Sequence, residues 1–312
     1  MIKKPENMDF SGKNIIMIIS GLPGTGKTTL ALSAPDVLLI DTDEGMARVN
    51  PAHRKDASIC KTYEEILADI KAAEGQYKTI VIDTCGALVE YLKDWAVRTD
   101  RKASKNDGGF SLQGYGIIKS EFIRLSAELR KKFNVIFLFH ESMTKTDENI
   151  FYELVVEGSA RTLVYQPADL AAHLFIQGGK RYLGFTPTEQ YSAKAAYGIK
   201  GLVEVPELNE GDENNFLTKL FDRVRANLSK ESEAASAQTK QYEEIIAEAK
   251  NLLSMLEKPE EVNDCVKMIK GMPHVLTSEK ECTAMIKSRL AELNIVWDKK
   301  TKQYVFAEEK SE

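Results

Sequence analysis

Apolar positions follow two rhythms along this chain. Ile15–Ile19, Val37–Ile40, Thr79–Asp83 and Val135–Phe139 are short, nearly unbroken apolar runs rich in β-branched residues, which predicts strands buried on both faces. Between them, Tyr63–Ala73, Leu88–Val97 and residues 112–132 place apolar side chains at helical spacing. Strands alternating with helices predict an α/β fold: a mostly parallel sheet covered on both faces, with ligands at the carboxyl ends of its strands. The rhythm changes over 150–205, where Ile150–Val156, Leu170–Ile176 and Arg181–Phe185 are short β-like runs separated by turn residues. These are expected to extend the sheet.

Ser229–Thr239 lacks large apolar residues and is small and polar, so it reads as a linker. Beyond it, Tyr242, Ile245, Ile246, Ala249, Leu252, Leu253 and Leu256 return to helical spacing. A second helix is expected to stop at Gly271, a third to open on Ser278-Glu-Lys-Glu281 as a capping box, and Ile295–Phe306 to form a hairpin. The division expected is an α/β domain over 1–228, a linker over 229–240 and a small, mainly helical module over 241–312.

The first strand runs into Gly21-Leu22-Pro23-Gly24-Thr25-Gly26-Lys27-Thr28-Thr29, which satisfies every defined position of the G-x-x-x-x-G-K-[ST] phosphate loop. Glycines let backbone N–H groups curl around a polyphosphate, and a helix opening at Lys27 adds its positive end. Lys27 is expected at the β/γ-phosphates and the Thr28 hydroxyl on Mg2+, making ATP and Mg2+ the expected cofactors. Asp83 closes the third strand and is placed to hold Mg2+ through water beside Thr28. A carboxylate that orients the attacking water is expected from the neighbouring strand end, where Asp43 and Glu44 are the candidates and Asp41 reads as structural. His140 ends the fourth strand at the same edge, where a neutral imidazole can sense the γ-phosphate.

Composition bounds the rest. With 312 residues, 43% hydrophobic and 29% charged, the chain has room for one full α/β domain and a smaller appendage. No apolar run reaches membrane-spanning length and Met-Ile-Lys-Lys-Pro-Glu is not a signal-peptide pattern, so a cytoplasmic protein without membrane contact is expected. Four scattered cysteines, Cys60, Cys85, Cys265 and Cys282, read as buried free thiols rather than disulfides or a zinc site. A net charge of −5 argues against a wholly basic nucleic-acid coat, though not against a local basic groove.

The order of phosphate loop, Ile-Asp-Thr-Asp43-Glu44-Gly, Ile-Val-Ile-Asp83-Thr, Tyr115-Gly116 and Phe-Leu-Phe-His140-Glu resembles phage-encoded P-loop ATPases with a RecA-type core. That group includes single-strand annealing and recombination proteins. Gly158-Ser-Ala-Arg161 with Asp169, and Ala193-Lys194-Ala-Ala-Tyr197-Gly198, fit the later core strands of RecA, RadA and DnaB-type ATPases. The resemblance covers about residues 12–205 and implies ATP hydrolysis, Mg2+ at Thr28 and Asp83, and a catalytic carboxylate at Asp43. Thr84 stands where a site of AAA+ type normally carries glutamate, and Ala196 where hexameric relatives carry the arginine of Lys-x-Arg. The resemblance therefore implies a homo-oligomer, ring or filament, in which Lys194 reaches a neighbour's γ-phosphate.

The resemblance also implies single-stranded DNA facing loops 99–111 and 141–149, where Arg101, Lys102, Lys105 and Phe110 stand in the first and Lys145, Glu141, Asp147 and Glu148 in the second. The turn Gly178-Gly-Lys180-Arg181-Tyr182 adds cations beside an aromatic. The functional expectation is an ATP-hydrolysing protein of phage DNA recombination or repair, located in the host cytoplasm. Its alternatives are an ATP-driven remodelling or loading factor, whose protein partner is held by the C-terminal module, and a nucleotide-dependent switch.

Overall fold

A computed structural model describes residues 10–105, 108–146, 150–156, 165–209 and 211–307. It forms two compact units, Gly12–Asn227 and a second comprising Leu228 onward together with Phe10 and Ser11.

In the first unit the expected strands form: β1 (Ile16–Gly21), β2 (Val37–Asp41), β4 (Thr79–Asp83) and β5 (Asn134–Lys145). A short β3 (Asp56–Ser58) lies between β2 and β4 in sequence, and β6 (Ile150–Leu154), β7 (Leu170–Gln177), β8 (Lys180–Gly184) and β9 (Leu202–Val205) follow. The order across the sheet is β3-β2-β4-β5-β1-β7-β8-β9, with β6 paired to β5. All pairs from β3 to β7 are parallel, whereas β7–β8, β8–β9 and β5–β6 are antiparallel. The mostly parallel α/β sheet is therefore as the apolar runs predict. β3 and β9 escape that reading because three- and four-residue strands leave no run to detect.

Helices α1 (Lys27–Ala31), α2 (Tyr63–Ala72), α3 (Cys85–Thr99) and α4 (Leu112–Lys132) connect these strands. The hydroxyls of Thr62, Thr84 and Ser111 cap the N-termini of α2, α3 and α4, satisfying amide groups that would otherwise lack partners. Ile16, Ile18, Ile80, Ile82, Val135 and Phe137 pack with Tyr63, Leu88, Leu92 and Phe122 of the helices in one core. Strands β1, β2 and β4 are buried at every position, as a sheet covered on both faces requires.

Two expectations are corrected here. Residues 141–145, expected in a loop, continue β5 and pair with β6 from Glu141↔Leu154 to Lys145↔Ile150. The stretch 229–240 is not an extended linker: it is helical within α5, Phe216–Met255. Ala, Glu, Lys and Gln are strong helix formers, so small polar composition between two helical patterns leaves the helix intact.

The second unit continues with α6 (Val262–Lys270), α7 (Ser278–Glu292) and the antiparallel pair β10 (Ile295–Asp298) and β11 (Gln303–Phe306). Its core gathers Ile245, Ala249, Leu253, Leu256, Val262, Ile269, Ile286 and Ile295, and α6 stops at Gly271. The capping box does not form. Thr277 is the N-cap of α7, and the Ser278 hydroxyl instead accepts from Val275 N at 3.0 Å. Cys60, Cys85, Cys265 and Cys282 are buried free thiols. Among the described residues no helix is long and apolar enough to cross a membrane.

Candidate functional site

The carboxyl edge of the parallel sheet carries the motif residues because the strands stand in register there. Gly21 is level with His140, Ile19 with Leu138, Leu138 with Asp83, and Asp83 with Asp41. The phosphate loop leaves β1 at that edge and turns into α1 through Gly24 and Gly26, both at positive φ, a conformation that glycine adopts without steric cost. Gly21 meets a second constraint: a Cβ there would lie 2.4 Å from the Leu174 carbonyl oxygen of β7.

Lys27 is buried and donates to the carbonyl oxygens of Gly21 at 2.8 Å and Leu22 at 2.9 Å. Burial lowers its pKa, opposed by the charges of Asp83, Glu141 and Asp43. Thr28 Oγ1 donates to Asp83 Oδ2 at 2.6 Å. Burial pushes the Asp83 carboxyl up to about 6; the Thr28 hydrogen bond opposes that shift, while the charges of Asp43 and Asp41 add to it. A hydroxyl paired with a desolvated carboxylate beside further acids is a hard-oxygen donor set that suits Mg2+. Among the described residues no group of three or more His, Cys, Asp or Glu is arranged to hold a metal by itself. Mg2+ commonly binds through one or two protein oxygens plus substrate phosphates and water.

The three acids after β2 separate cleanly. Asp41 accepts from Gly45 N at 2.7 Å and Met46 N at 2.9 Å, fixing the turn. Asp43 lies with Asp83 around Gly45, where a Cβ would meet Asp43 Oδ1 and Asp83 Oδ2 each at 3.1 Å. Arg48 Nη2 reaches Asp43 Oδ1 at 3.1 Å, and His140 Nε2 lies 3.6 Å from Asp43 Oδ2. Glu44, by contrast, is exposed with φ 58°. Burial and then the charge of Lys27 lower the His140 pKa against the pull of Asp43, which favours the neutral imidazole. Next to it, Glu141 Oε2 is 2.7 Å from His173 Nδ1, with both side chains buried.

Lys194 is not brought to this edge. Its backbone pairs with Ala171, and its ammonium donates to Ala168 O at 2.5 Å. Asp169, the adjacent residue, accepts from Ile16 N, the first amide of β1. The ammonium is therefore held toward the amino edge of the sheet, while the Lys194 backbone is level with Ile18 through Ala171. The expectation for Lys194 concerns the γ-phosphate of a neighbouring subunit, and within its own chain the ammonium is engaged by the Ala168 carbonyl oxygen. Tyr197 and Lys13 join Asp169 there, with Tyr197 Oη donating to Asp169 Oδ1 at 2.9 Å. Gly158–Arg161, Asp147 and Glu148 lie outside the described residues.

Arg181, expected in a basic turn facing DNA, is instead at the phosphate loop: its Nε donates to Thr25 O at 3.2 Å, and it stands 3.3 Å from the Cβ position of Gly26. The β7–β8 hairpin carries it there, a tertiary relationship no local motif announces. Lys180 pairs with Glu204 across β8–β9 at 2.8 Å. Phe110 packs edge-on against Tyr115 at 5.0 Å.

A crystal structure of the flagellar accessory protein FlaH from Methanocaldococcus jannaschii aligns with 62% of this chain and 91% of its own, at 15% identity and a TM-score of 0.31. At those values the likeness carries no functional argument. No curated protein matches the chain. Residues 13–197, more than half of the sequence and the whole span from β1 through the acids to Tyr197, match the AAA domain family, and the chain belongs to that family of P-loop proteins.

Proposed function

We propose that this chain is a Mg2+-dependent ATPase that couples turnover to single-stranded DNA. The observation that carries the ATPase reading is the 2.6 Å contact between Thr28 and Asp83, beside a buried Lys27 folded onto its own loop. Bound Mg2+ would neutralise phosphate charge as the terminal phosphoryl group leaves. Thr28 and Asp83 would hold it. Lys27 supplies the fixed positive charge for the β/γ-phosphates, and the loop amides supply aligned dipoles. Asp43, set by Arg48 and facing His140, orients water. His140, kept neutral, relays the state of that carboxylate to β5. The test is phosphate release with Mg2+, with excess chelator and in Lys27→Ala. Turnover that survives chelation or the substitution rejects the reading.

The DNA partner rests on narrower ground: Arg101, Lys102 and Lys105 are exposed cations within one short segment. On a chain of net charge −5, such a local cluster is what phosphate contact needs. The packed Phe110 leaves this a phosphate-contact surface rather than a stacking platform. ATPase measured with and without oligonucleotide, across a salt series, tests it. Equal rates, and no binding at low salt, remove DNA from the proposal.

A further inference from the structure

The second unit carries the hairpin β10–β11, whose connection Lys299-Lys300-Thr301-Lys302 places three lysines in four positions. The turn is fixed by Asp298. That side chain accepts from the amides of Lys300 at 2.9 Å and Thr301 at 3.2 Å, and from the Thr301 hydroxyl at 2.7 Å. The Thr301 hydroxyl and these amides hold its carboxyl below the usual carboxylate range. All three lysines are exposed, and among the described residues none of their ammonium groups has a carboxylate partner. Two residues before Lys299, Trp297 faces Tyr304 across the strands and packs edge-on against its ring at 4.9 Å. Ile295 and Tyr304 are held by the core of the unit, which anchors the hairpin, yet Trp297 stays 47% exposed. Val296, Val305 and Phe306 beside it are exposed as well.

We propose that this hairpin is a stacking platform for single-stranded DNA, with Trp297 under a base and Lys299, Lys300 and Lys302 on neighbouring phosphates. The inference rests on the DNA reading above and supplies what the segment around Arg101 lacks, since Phe110 there is packed against Tyr115. Three features point to a single strand. The half-exposed indole leaves apolar area in water, and a base covers it without regard to sequence because every base has a π-face. Its ring already rests on Tyr304, so little rotamer freedom is lost when a base stacks. The three ammonium groups make a local positive field on a chain of net charge −5, and phosphates meeting them release counterions. A protein partner is the competing occupant. Lysine argues against it, because protein interfaces gather aromatics and arginine but are depleted of lysine, and residues 295–306 contain no arginine.

Titration of the full chain with oligothymidylate tests the platform and separates it from the reading it rests on. The chain has two tryptophans, Trp297 and Trp95, and Trp95 packs against Tyr63 and the core of the first unit. Emission should be quenched on binding in the unaltered protein and should not change in Trp297→Phe, where Trp95 alone reports. Measured by anisotropy of a labelled strand, Trp297→Ala should weaken binding by roughly tenfold. Trp297→Phe keeps an aromatic face and should stay within about threefold. Replacing Lys299, Lys300 and Lys302 together by alanine removes only exposed side chains, and should reduce the slope of log affinity against log salt by about 2. Equal quenching with and without Trp297 overturns the platform. So does unaltered binding by both Trp297→Ala and the triple lysine variant, which would leave the hairpin to a protein partner. If neutralising Arg101, Lys102 and Lys105 then lowers affinity, the DNA reading stands without the platform. If oligothymidylate does not bind at low salt, both readings fall.

Discussion

Thr28 and Asp83 come from α1 and from the end of β4, two elements separated by a whole strand, yet their oxygens meet at 2.6 Å. The strand between β1 and β4 is β5, which brings His140 to the same edge. One sheet edge thus holds the hydroxyl, the carboxylate and the imidazole together without any of the three depending on a long loop.

Asp83→Asn should separate stability from function. The native carboxyl titrates at about 6, against an ordinary value of 3.8, mainly through burial. A native pKa above the unfolded one means that ionisation costs the folded state stability as pH rises from about 4 through 6. At pH 7.5 the neutral asparagine should therefore be more stable, by about 1–3 kcal/mol, while Mg2+-dependent turnover is lost. The gain should vanish below about pH 4. Urea melts at both pH values check this, and a variant less stable at pH 7.5 would contradict it.

Lys27→Ala should reduce turnover by at least about a hundredfold and weaken nucleotide binding. It removes a buried ammonium that donates to two loop carbonyls. Circular dichroism beside the phosphate assay distinguishes lost chemistry from lost folding.

Asp43→Asn should bind nucleotide normally and lose about a hundredfold in rate, whereas Glu44→Gln should stay within about twofold. Asp43 is fixed by Arg48 and lies near His140; Glu44 is exposed. Single-turnover rates on both variants decide between the two acids, and the reverse pattern would transfer the role to Glu44.

What the sequence made visible, and what it hid, follow from one distinction. Lys27, Thr28 and Asp83 stand in local patterns, an apolar run followed by a chemically demanding residue, and a parallel sheet necessarily carries such strand ends to one edge. Arg181 reaches the loop through a hairpin whose position is set by pairing at a distance, so nothing adjacent to it in sequence marks it. Lys194 is a different case: its local pattern names a role toward a neighbouring subunit, and within its own chain the ammonium is held by the Ala168 carbonyl oxygen. In 229–240, composition was mistaken for conformation.

Gly21→Ala should destabilise the first unit by about 1–3 kcal/mol or more, because the new methyl would lie 2.4 Å from a backbone oxygen that cannot rotate away. Gly24→Ala meets no atom within 4 Å but is strained at φ 80°, so its smaller loss should come from the loop alone. Thermal melts of the two variants should rank in that order.

Truncation after residue 235 should preserve nucleotide binding, and truncation before Phe216 should abolish it. Leu217, Leu220, Phe221 and Val224 at the start of α5 are buried, and Leu217 N donates to the Ser33 hydroxyl beyond α1. Fluorescent-nucleotide titration of both fragments tests this. Loss of binding in the longer fragment would make the C-terminal unit part of the nucleotide domain.

The level alignment of Asp41 with Asp83, and of Gly21 with His140, bears on how this protein can vary in length. Side chains alternate between sheet faces, so one residue added or removed inside β1, β2, β4 or β5 would turn an edge group to the opposite face and shift every residue beyond it. The same change in a connection between helix and strand leaves the alignment untouched. Insertions and deletions among related chains should therefore cluster in the connecting segments, with the four strand lengths held constant.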